Sequence, residues 1–439
     1  MKVFKFGGTS VGSPENMRSV MQIITEDGEP KIVVLSAMSG TTNSLVEISN
    51  KLYDADKSAA TKLISDLKDK YIKVIEELYK TNEAKAEGHK IIDSHFNLLQ
   101  EQVEGEFDAI KEQVIIAQGE LISTAMFTEF LKESGVKTVL LPALNFMRID
   151  EDKQADLKKI KELIKPVLDK AGQHEIYITQ GFICRNANGD IDNLQRGGSD
   201  YTASLLGAAI NSEEVQIWTD IDGLHNNDPR IVNRTTRVDN LLFVEAAELA
   251  YFGAKILHPL TVLPAKEANI PVRLKNTMSP SDPGTLISND NSGAGLKAVA
   301  AKDGIIAIRI RSYRMLMAYG FLRTVFDIFE KYKTSIDVIT TSEVAISLTI
   351  DNDKNLDKIL ADLNELGEVE VDRELTIVCV VGDMISEATV FSKLIFDAIE
   401  GIPVRMISYG GSHYNVSILV ETKYKKETLQ KLSDNLFYK

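Results

Sequence analysis

The sequence predicts an α/β protein: a mostly parallel sheet sandwiched by helices, followed by two small α+β domains, the first inserted in the second. Three observations predict it. Through the first 290 residues, apolar runs of strand length alternate with helical stretches, the pattern of βαβ units and of a sheet covered on both faces. Residues 276–295, "NTMSPSDPGTLISNDNSGAG", have the composition of a loop or linker. Beyond them one small strand–helix pattern occurs twice.

Residues 3–6 alternate as a strand does. Ser13-Pro14 is a cap residue followed by proline at the first helical position, and Met17, Val20, Met21 and Ile24 mark that helix's buried face. Residues 31–37, "KIVVLSA", form the continuous apolar run of a buried parallel strand. Residues 138–142, 175–180 and 215–219 repeat it. Between about 54 and 106, Ile64, Leu67, Tyr71, Ile75 and Leu78, then Ile91, Ile92, Leu98, Leu99 and Val103, recur at helical spacing among charges. They predict an inserted helical hairpin, a scaffold or partner-contacting arm without chemistry of its own. Residues 285–287 close the first domain, which spans 1–290.

The first repeat has a strand at 305–310, a helix at 320–332, strands at 335–340 and 344–350, a helix at 356–366 and a strand at 368–373. The second has a strand at 375–381, a helix at 387–399, strands at 404–408 and 415–420, and a helix at 426–436, with no final strand. The unemployed segment 296–302, "LKAVAAK", is expected to supply that strand. The first repeat (304–373) is then an insertion within the second (296–303 with 374–439).

A chain of 439 residues suggests about two to four domains. No apolar run looks long enough to span a bilayer, and the N-terminus enters a strand without a signal-like region, so no membrane partner and no secretion signal are expected. Cys184 and Cys379 stand far apart in apolar runs, as buried thiols of a reducing compartment do, which predicts a cytoplasmic protein. A net charge of −14 argues against a nucleic-acid partner. It also means that a polyanionic ligand would be attracted only by local cations, backbone N–H groups and a metal ion.

No P-loop fits, because Ser13-Pro14 stands where Lys-Ser/Thr is required. No usable G-x-G-x-x-G, metal-ligand spacing or G-x-S-x-G turn is present, so no protein-held metal is expected. Six polar clusters carry the chemistry instead, and four follow predicted strands, where open α/β sheets bind ligands. Lys5-Phe6-Gly7-Gly8-Thr9-Ser10 pairs a point charge with glycines that let backbone N–H groups approach an anion; a tight turn with a surface lysine has the same letters. In 36–43, "SAMSGTTN", small hydroxyls either cap a helix or bind a polar ligand. Glu120 interrupts an apolar helix and needs a cation, from an arginine or from a ligand. Arg196-Gly197-Gly198-Ser199-Asp200 repeats the cation-plus-glycines logic; arginine clamps carboxylates, while Asp200 is also ordinary first-turn chemistry. Thr219-Asp220-Ile221-Asp222-Gly223 with Asp228-Pro229-Arg230 suits a nucleotide or its magnesium, or a plain Asp-Gly turn. In 252–259, "FGAKILHP", Lys255 at a helix end is unremarkable and His258 reads as structural.

Taken together, "KFGGTSV", "LSAMSGTTN", "GELIS", "QGF", "RGGSDYTA", "WTDIDG", "NDPR" and "FGAKILHP" resemble the aspartokinase family, in order, across the whole first domain. The C-terminal repeat resembles paired ACT domains, with "GFLRTVFDIF" and "IDVITTSEV" close to that family's regulatory motifs. The resemblance implies an amino-acid kinase fold followed by two ferredoxin-like ACT domains. It implies transfer of the ATP γ-phosphoryl group to L-aspartate, with Mg²⁺ arriving as Mg-ATP. It assigns the catalytic charge neutralisation to Lys5, Gly7, Gly8 and Lys255. Ser36, Thr42, Glu120, Arg196, Gly198, Ser199 and Asp200 would hold aspartate, Arg196 on its α-carboxylate, Glu120 and Asp200 on its ammonium. Lys5, Gly8, Thr219, Asp220, Asp228, Arg230 and Lys255 would serve the nucleotide. The chain departs from the family at His225, where an aromatic is commoner two residues after the Asp-Gly turn, and in "HNN" before Asp228.

The resemblance further implies feedback by an end-product amino acid. Lysine is the first choice and threonine the alternative, bound where Met315, Gly320, Asp337, Ser342 and Glu343 converge. Exposed ACT sheet edges imply a homodimer or a dimer of dimers. A kinase for a related acidic amino acid, or an inactive amino-acid sensor, is the competing reading.

Overall fold

The structure is a computed structural model of the chain and describes every residue except 196, 254–256, 258, 291, 292, 294, 317, 318, 385–387 and 439. In chain order the first elements are β1 (Lys2–Phe6), α1 (Pro14–Thr25), β2 (Lys31–Leu35), α2 (Thr41–Tyr53), α3 (Lys57–Leu78), α4 (Asn82–Gln102), α5 (Ala109–Glu133) and β3 (Thr138–Leu141). Then come α6 (Leu157–Ala171), β4 (Ile176–Gln180), β5 (Ile183–Arg185), β6 (Ile191–Asn193), α7 (Gly198–Ile210), β7 (Val215–Thr219), β8 (Asn240–Leu242), α8 (Phe243–Tyr251), α9 (Leu263–Glu267), β9 (Val272–Asn276) and β10 (Thr285–Ser288). The C-terminal elements are β11 (Leu296–Arg311), α10 (Phe321–Lys331), β12 (Ile339–Thr341), β13 (Ala345–Ile350), α11 (Leu356–Asn364), β14 (Glu368–Gly382), α12 (Ala388–Ala398), β15 (Val404–Tyr409), β16 (Asn415–Glu421) and α13 (Lys425–Phe437).

The chain divides into two compact units, residues 1–224 with 257–291 and residues 225–256 with 292–439. In the first, seven strands of one sheet run in the order β3-β4-β2-β1-β7-β9-β10. All pairings from β3 to β9 are parallel; only β10 runs antiparallel to β9. β2 and β4 are buried along their whole length, as the apolar runs require. Ser13 accepts the N–H of Asn16 and starts α1, with Pro14 inside the first turn.

The inserted hairpin is α3 and α4, and its apolar stripe is continuous with the sheet's core. Ile64, Leu67, Tyr71, Ile75, Ile92, Phe96 and Leu99 share one cluster with Phe6, Val33, Leu35 and Ile178. The expectation that no segment is long and apolar enough for a bilayer needs correction. Among the described residues α5 meets that test by length and composition. Its apolarity has a plain use, because most of the helix is buried among neighbouring elements.

In the second unit the expected strand is present: Ala298–Ala301 pair with Val378–Val381 in antiparallel register. The four strands expected around the two repeat junctions are two long ones, β11 and β14, continuous past irregularities near Lys302–Ala307. A single six-stranded sheet, β12-β13-β11-β14-β16-β15, therefore serves both repeats. Each repeat keeps its own core, one with Ile308, Ile346 and Phe329, the other with Val378, Ile418 and Leu432. The strand expected at 335–340 is regular only from Ile339; ahead of it Asp337 and Val338 both face the single residue Thr349, the Asp337 N–H on its carbonyl, its own N–H on the Val338 carbonyl and its hydroxyl on the Val338 N–H.

Residues 225–256 group with the C-terminal segment, whereas the composition break lies at 276–295. The cause is packing: Val232 is buried in the cluster that holds Ile395, Leu429 and Leu432.

Candidate active site

The parallel strands β1, β2 and β4 deliver their carboxyl ends to one edge of the first unit's sheet, and there the clusters converge. A cavity of about 420 Å³ is lined by Lys5, Gly8, Ser36, Thr42, Glu120, Gly198, Ser199 and Asp200. Every described residue expected to hold aspartate is among them. Arg196 and Lys255 lie outside the described residues. Gly7 sits beside the cavity, and a Cβ there would meet the Lys5 ammonium at 3.4 Å.

Lys5 comes from β1 and Asp200 from the first turn of α7, and they form an ion pair with Nζ to Oδ1 at 2.7 Å. Both side chains are mostly buried, 12% and 17% exposed. The second carboxylate is different. Glu120, in the middle of α5, is 3% exposed; its Oε1 accepts the Ala37 N–H at 3.2 Å, while Oε2 has no partner among the described residues. Burial pushes its carboxyl up to about 7, against the pull of that hydrogen bond.

Backbone shape makes this convergence possible. A Cβ on Gly119 would lie 2.8 Å from the Ala37 Cβ, so only glycine lets α5 bring Glu120 onto the "SAM" turn. A Cβ on Gly8 would lie 2.8 Å from the Ala37 carbonyl. The Ser36 hydroxyl donates to the Ser199 hydroxyl at 2.9 Å, joining the second cluster to the fourth. Gly40 and Gly197 precede α2 and α7 at φ +81° and +73°; the first N–H of each helix is taken by the Met38 and Gln195 carbonyls, and the next residues of both first turns line the cavity, where helix N-termini favour an anion.

Other lining residues were not singled out for a role from sequence. Thr9, Ser39 and Asn43 line the cavity, and their hydroxyl and amide chemistry within the quoted clusters was the available signal. Phe182 and Gln195 also line it, both at positive φ (+67° and +59°), strained conformations that concentrate at functional sites and leave no mark on the sequence. The hairpin, expected to carry no chemistry, reaches the same loop: Lys70 donates to the Ser39 carbonyl at 2.8 Å, and Tyr71 bonds Thr41.

The residues expected on the nucleotide side are placed differently. Thr219 ends β7, its hydroxyl on Asp220 at 3.1 Å, and neither lines the cavity. Thr277, inside the linker-like stretch, ties Thr219 to the first cluster: its N–H donates to the Thr219 carbonyl and its hydroxyl meets that of Ser10 at 2.8 Å. Asp228 and Arg230, in the second unit, form a bidentate pair at 2.9 and 2.7 Å. The guanidinium holds the Asp228 carboxyl below the usual range.

Of the expected effector residues, Met315, Gly320, Ser342 and Glu343 line a separate cavity of about 470 Å³ with Leu316, Phe321 and Leu322. Asp337 is not among them. Its buried carboxylate is taken by Lys302 at 2.9 Å and by the Tyr251 hydroxyl at 2.7 Å.

Residues 1–276 match the amino acid kinase family, and residues 378–436 match an ACT domain. Lysine-sensitive aspartokinase 3 of Escherichia coli is 34% identical over 447 residues, spanning 99% of both chains. The chain belongs to the aspartokinase family. Aspartokinase 1, chloroplastic, of Arabidopsis thaliana is also 34% identical, over 99% of this chain and 80% of its own. The crystal structure of E. coli aspartokinase III in complex with aspartate and ADP (R-state) superposes with a TM-score of 0.83, at 34% identity and full coverage of both chains. That of Clostridium acetobutylicum aspartate kinase gives 0.85 at 26% identity, over 99% of this chain and 100% of its own. As a member of this family the chain is an ATP-dependent kinase with the amino acid kinase fold and C-terminal ACT structure.

Proposed function

We propose that this kinase transfers the γ-phosphoryl group of Mg-ATP to the β-carboxylate of L-aspartate, giving 4-phospho-L-aspartate, the first step toward lysine, threonine and methionine. The observation that carries the reading is the charge pattern of the cavity. A buried carboxylate, Glu120, with one oxygen that no described residue engages, faces the same space as the Lys5–Asp200 pair and two helix N-termini. Glu120 supplies an acceptor for an ammonium group, and the helix N-termini and Lys5 supply donors for anions. An amino acid with an acidic side chain has this complement of groups.

The chemistry needs no general base. The acceptor carboxylate, with a pKa of about 4, is already ionised at neutral pH. What the site must overcome is repulsion between two anions, so catalysis consists of positioning and charge neutralisation. Lys5 would release Asp200 to the substrate ammonium and turn to the phosphoryl oxygens. Gly7 and Gly8 would add backbone N–H groups. By family resemblance Arg196 takes the α-carboxylate, and Thr219, Asp220, Asp228, Arg230 and Lys255 serve the nucleotide. Magnesium enters as part of the nucleotide substrate. Among the described residues no three His, Cys, Asp or Glu side chains group as metal ligands, and the nucleotide's own phosphates supply hard oxygen donors.

An ADP-release assay with Mg-ATP tests this directly. Turnover that requires L-aspartate is expected; none with aspartate, or equal turnover with L-glutamate, would overturn it. The kinase domain is taken as residues 1–290 and the two ACT domains as 304–373 and 296–303 with 374–439. Lysine is proposed as the effector, in the cavity of Met315, Gly320, Ser342 and Glu343, with threonine as the alternative. The crystal structure of E. coli aspartokinase III in complex with lysine and aspartate (T-state), at 34% identity, a TM-score of 0.81 and 100% and 99% coverage, supports that choice. Absence of inhibition by lysine in a titration of each amino acid would refute it. A homodimer or dimer of dimers through the ACT domains, in the cytoplasm, completes the proposal.

A further inference from the structure

The segment carrying Asp228 and Arg230 is a closed loop whose geometry is set by the last turns of the chain. Its neck is Asn226 and Thr236, which bond each other twice: the Asn226 N–H donates to the Thr236 carbonyl, and the Thr236 N–H to Asn226 Oδ1, each at 2.9 Å. The Tyr438 hydroxyl locks this neck, lying 2.8 Å from the Thr236 hydroxyl and accepting from Asn226 Nδ2 at 3.2 Å. Arg234 covers the tyrosine ring, 4.3 Å from its centre.

The rest of the loop is held just as firmly. Asn227, 3% exposed, donates from Nδ2 to the Leu429 carbonyl of α13 and accepts the Asp228 N–H on Oδ1. Gln430 accepts the Asn233 N–H at 3.1 Å. Val232 is buried against Leu429 and Leu432. The tip is exposed: the Arg230 side chain is 79% exposed, with Nε and Nη2 on Asp228 and its remaining donors unengaged in the described contacts. The two asparagines that make these bonds belong to "HNN", where the chain departs from its family.

We propose that Tyr438, Asn227 and Gln430 are positioning residues for the nucleoside triphosphate, holding the Asp228–Arg230 pair in the one geometry that presents the guanidinium to it. The inference rests on the reading that this pair serves the nucleotide. A pre-organised guanidinium loses less conformational freedom on binding than one on a mobile loop. The C-terminal helix of the second ACT domain then acts on nucleotide affinity without touching nucleotide.

The test measures KM for Mg-ATP, Kd for Mg-ADP by equilibrium titration, kcat and KM for L-aspartate in the full-length enzyme. Tyr438→Phe keeps the ring under Arg234 and removes the locking hydroxyl; Gln430→Ala removes one loop contact at a half-buried position. Arg230→Ala is the reference. Each positioning variant is expected to raise KM for Mg-ATP and Kd for Mg-ADP about three- to tenfold, the equivalent of one hydrogen bond, with kcat and KM for aspartate unchanged. In an Arg230→Ala background the Tyr438→Phe effect should vanish, because nothing remains to position.

If Arg230→Ala weakens nucleotide binding but the positioning variants do not, or if Tyr438→Phe is additive with it, the inference falls. A general loss in kcat and in both KM values also overturns it. If Arg230→Ala itself leaves both nucleotide constants unchanged, the assignment of the loop to the nucleotide is what fails, and the inference fails with it.

Discussion

Replacing Lys5 by alanine should lower kcat roughly a thousandfold. Its ammonium is held by Asp200 at 2.7 Å, in a cavity where both groups are largely shielded from water. A cation about 4 Å from a phosphoryl oxygen, at an effective dielectric near 20, contributes about 4 kcal/mol. If that interaction develops as negative charge accumulates in transfer, its loss appears in kcat as about three powers of ten. Aspartate affinity should change much less, because Glu120, Ser36 and Ser199 remain. The variant also frees Asp200, which then meets the substrate ammonium without competition and keeps KM for aspartate within about tenfold. Lys5→Met, which retains the apolar stem, separates loss of charge from loss of packing and should behave the same way. Steady-state ADP release across a matrix of both substrates makes the distinction. A kcat within tenfold of the unaltered enzyme, or a defect confined to KM for aspartate, would refute the role given to Lys5.

Three further outcomes follow from the same geometry. Glu120 has a folded-state pKa near 7, above its ordinary 4.5. The unliganded folded protein therefore keeps a proton that the unfolded chain loses, and stability falls as pH rises from about 4.5 to about 7. Glu120→Gln should remove that slope and be more stable at pH 8 by up to ~3 kcal/mol, while binding aspartate more weakly; a pH-independent difference in urea unfolding would contradict this. Gly119→Ala places a Cβ 2.8 Å from the Ala37 Cβ. Despite alanine's higher helix propensity it should cost ~1–3 kcal/mol and raise KM for aspartate, and unchanged values of both would count against the close approach. Lys302→Met strips the buried Asp337 carboxylate of its cation and should destabilise the enzyme by ~3 kcal/mol; a loss below about 0.5 kcal/mol in denaturant unfolding would show that the pair is dispensable.

Local patterns in the sequence determined a large part of this protein. Strand periodicity at β1, β2, β4 and β7 and the Ser13-Pro14 cap depend on neighbours a few residues away, and so does the twofold strand–helix pattern after residue 296. Each is legible because hydrogen bonding and amphipathicity there are local. The missing strand of the second repeat was also legible, by counting. Clusters rich in glycine, hydroxyl and charge marked the turns of the site in the same way.

Only the tertiary structure decided which of those turns meet. Lys5 finds Asp200 across 195 positions and Glu120 finds the Ala37 N–H across 83; nothing near either residue states its partner, its burial or its pKa. The positive φ of Phe182 and Gln195 is imposed by the contacts around them, not by residue type. Asp337 reads as a surface acid at a strand end, yet Lys302 and Tyr251 enclose it. Residues 225–256 lie between β7 and β9 of the first sheet in sequence but pack with the C-terminal unit, because Val232 and Asn227 find their partners in α13 and Asn226 finds Tyr438 just beyond it. In each case the deciding energy is desolvation or pairing between segments far apart in the chain, and a one-dimensional pattern does not encode that distance.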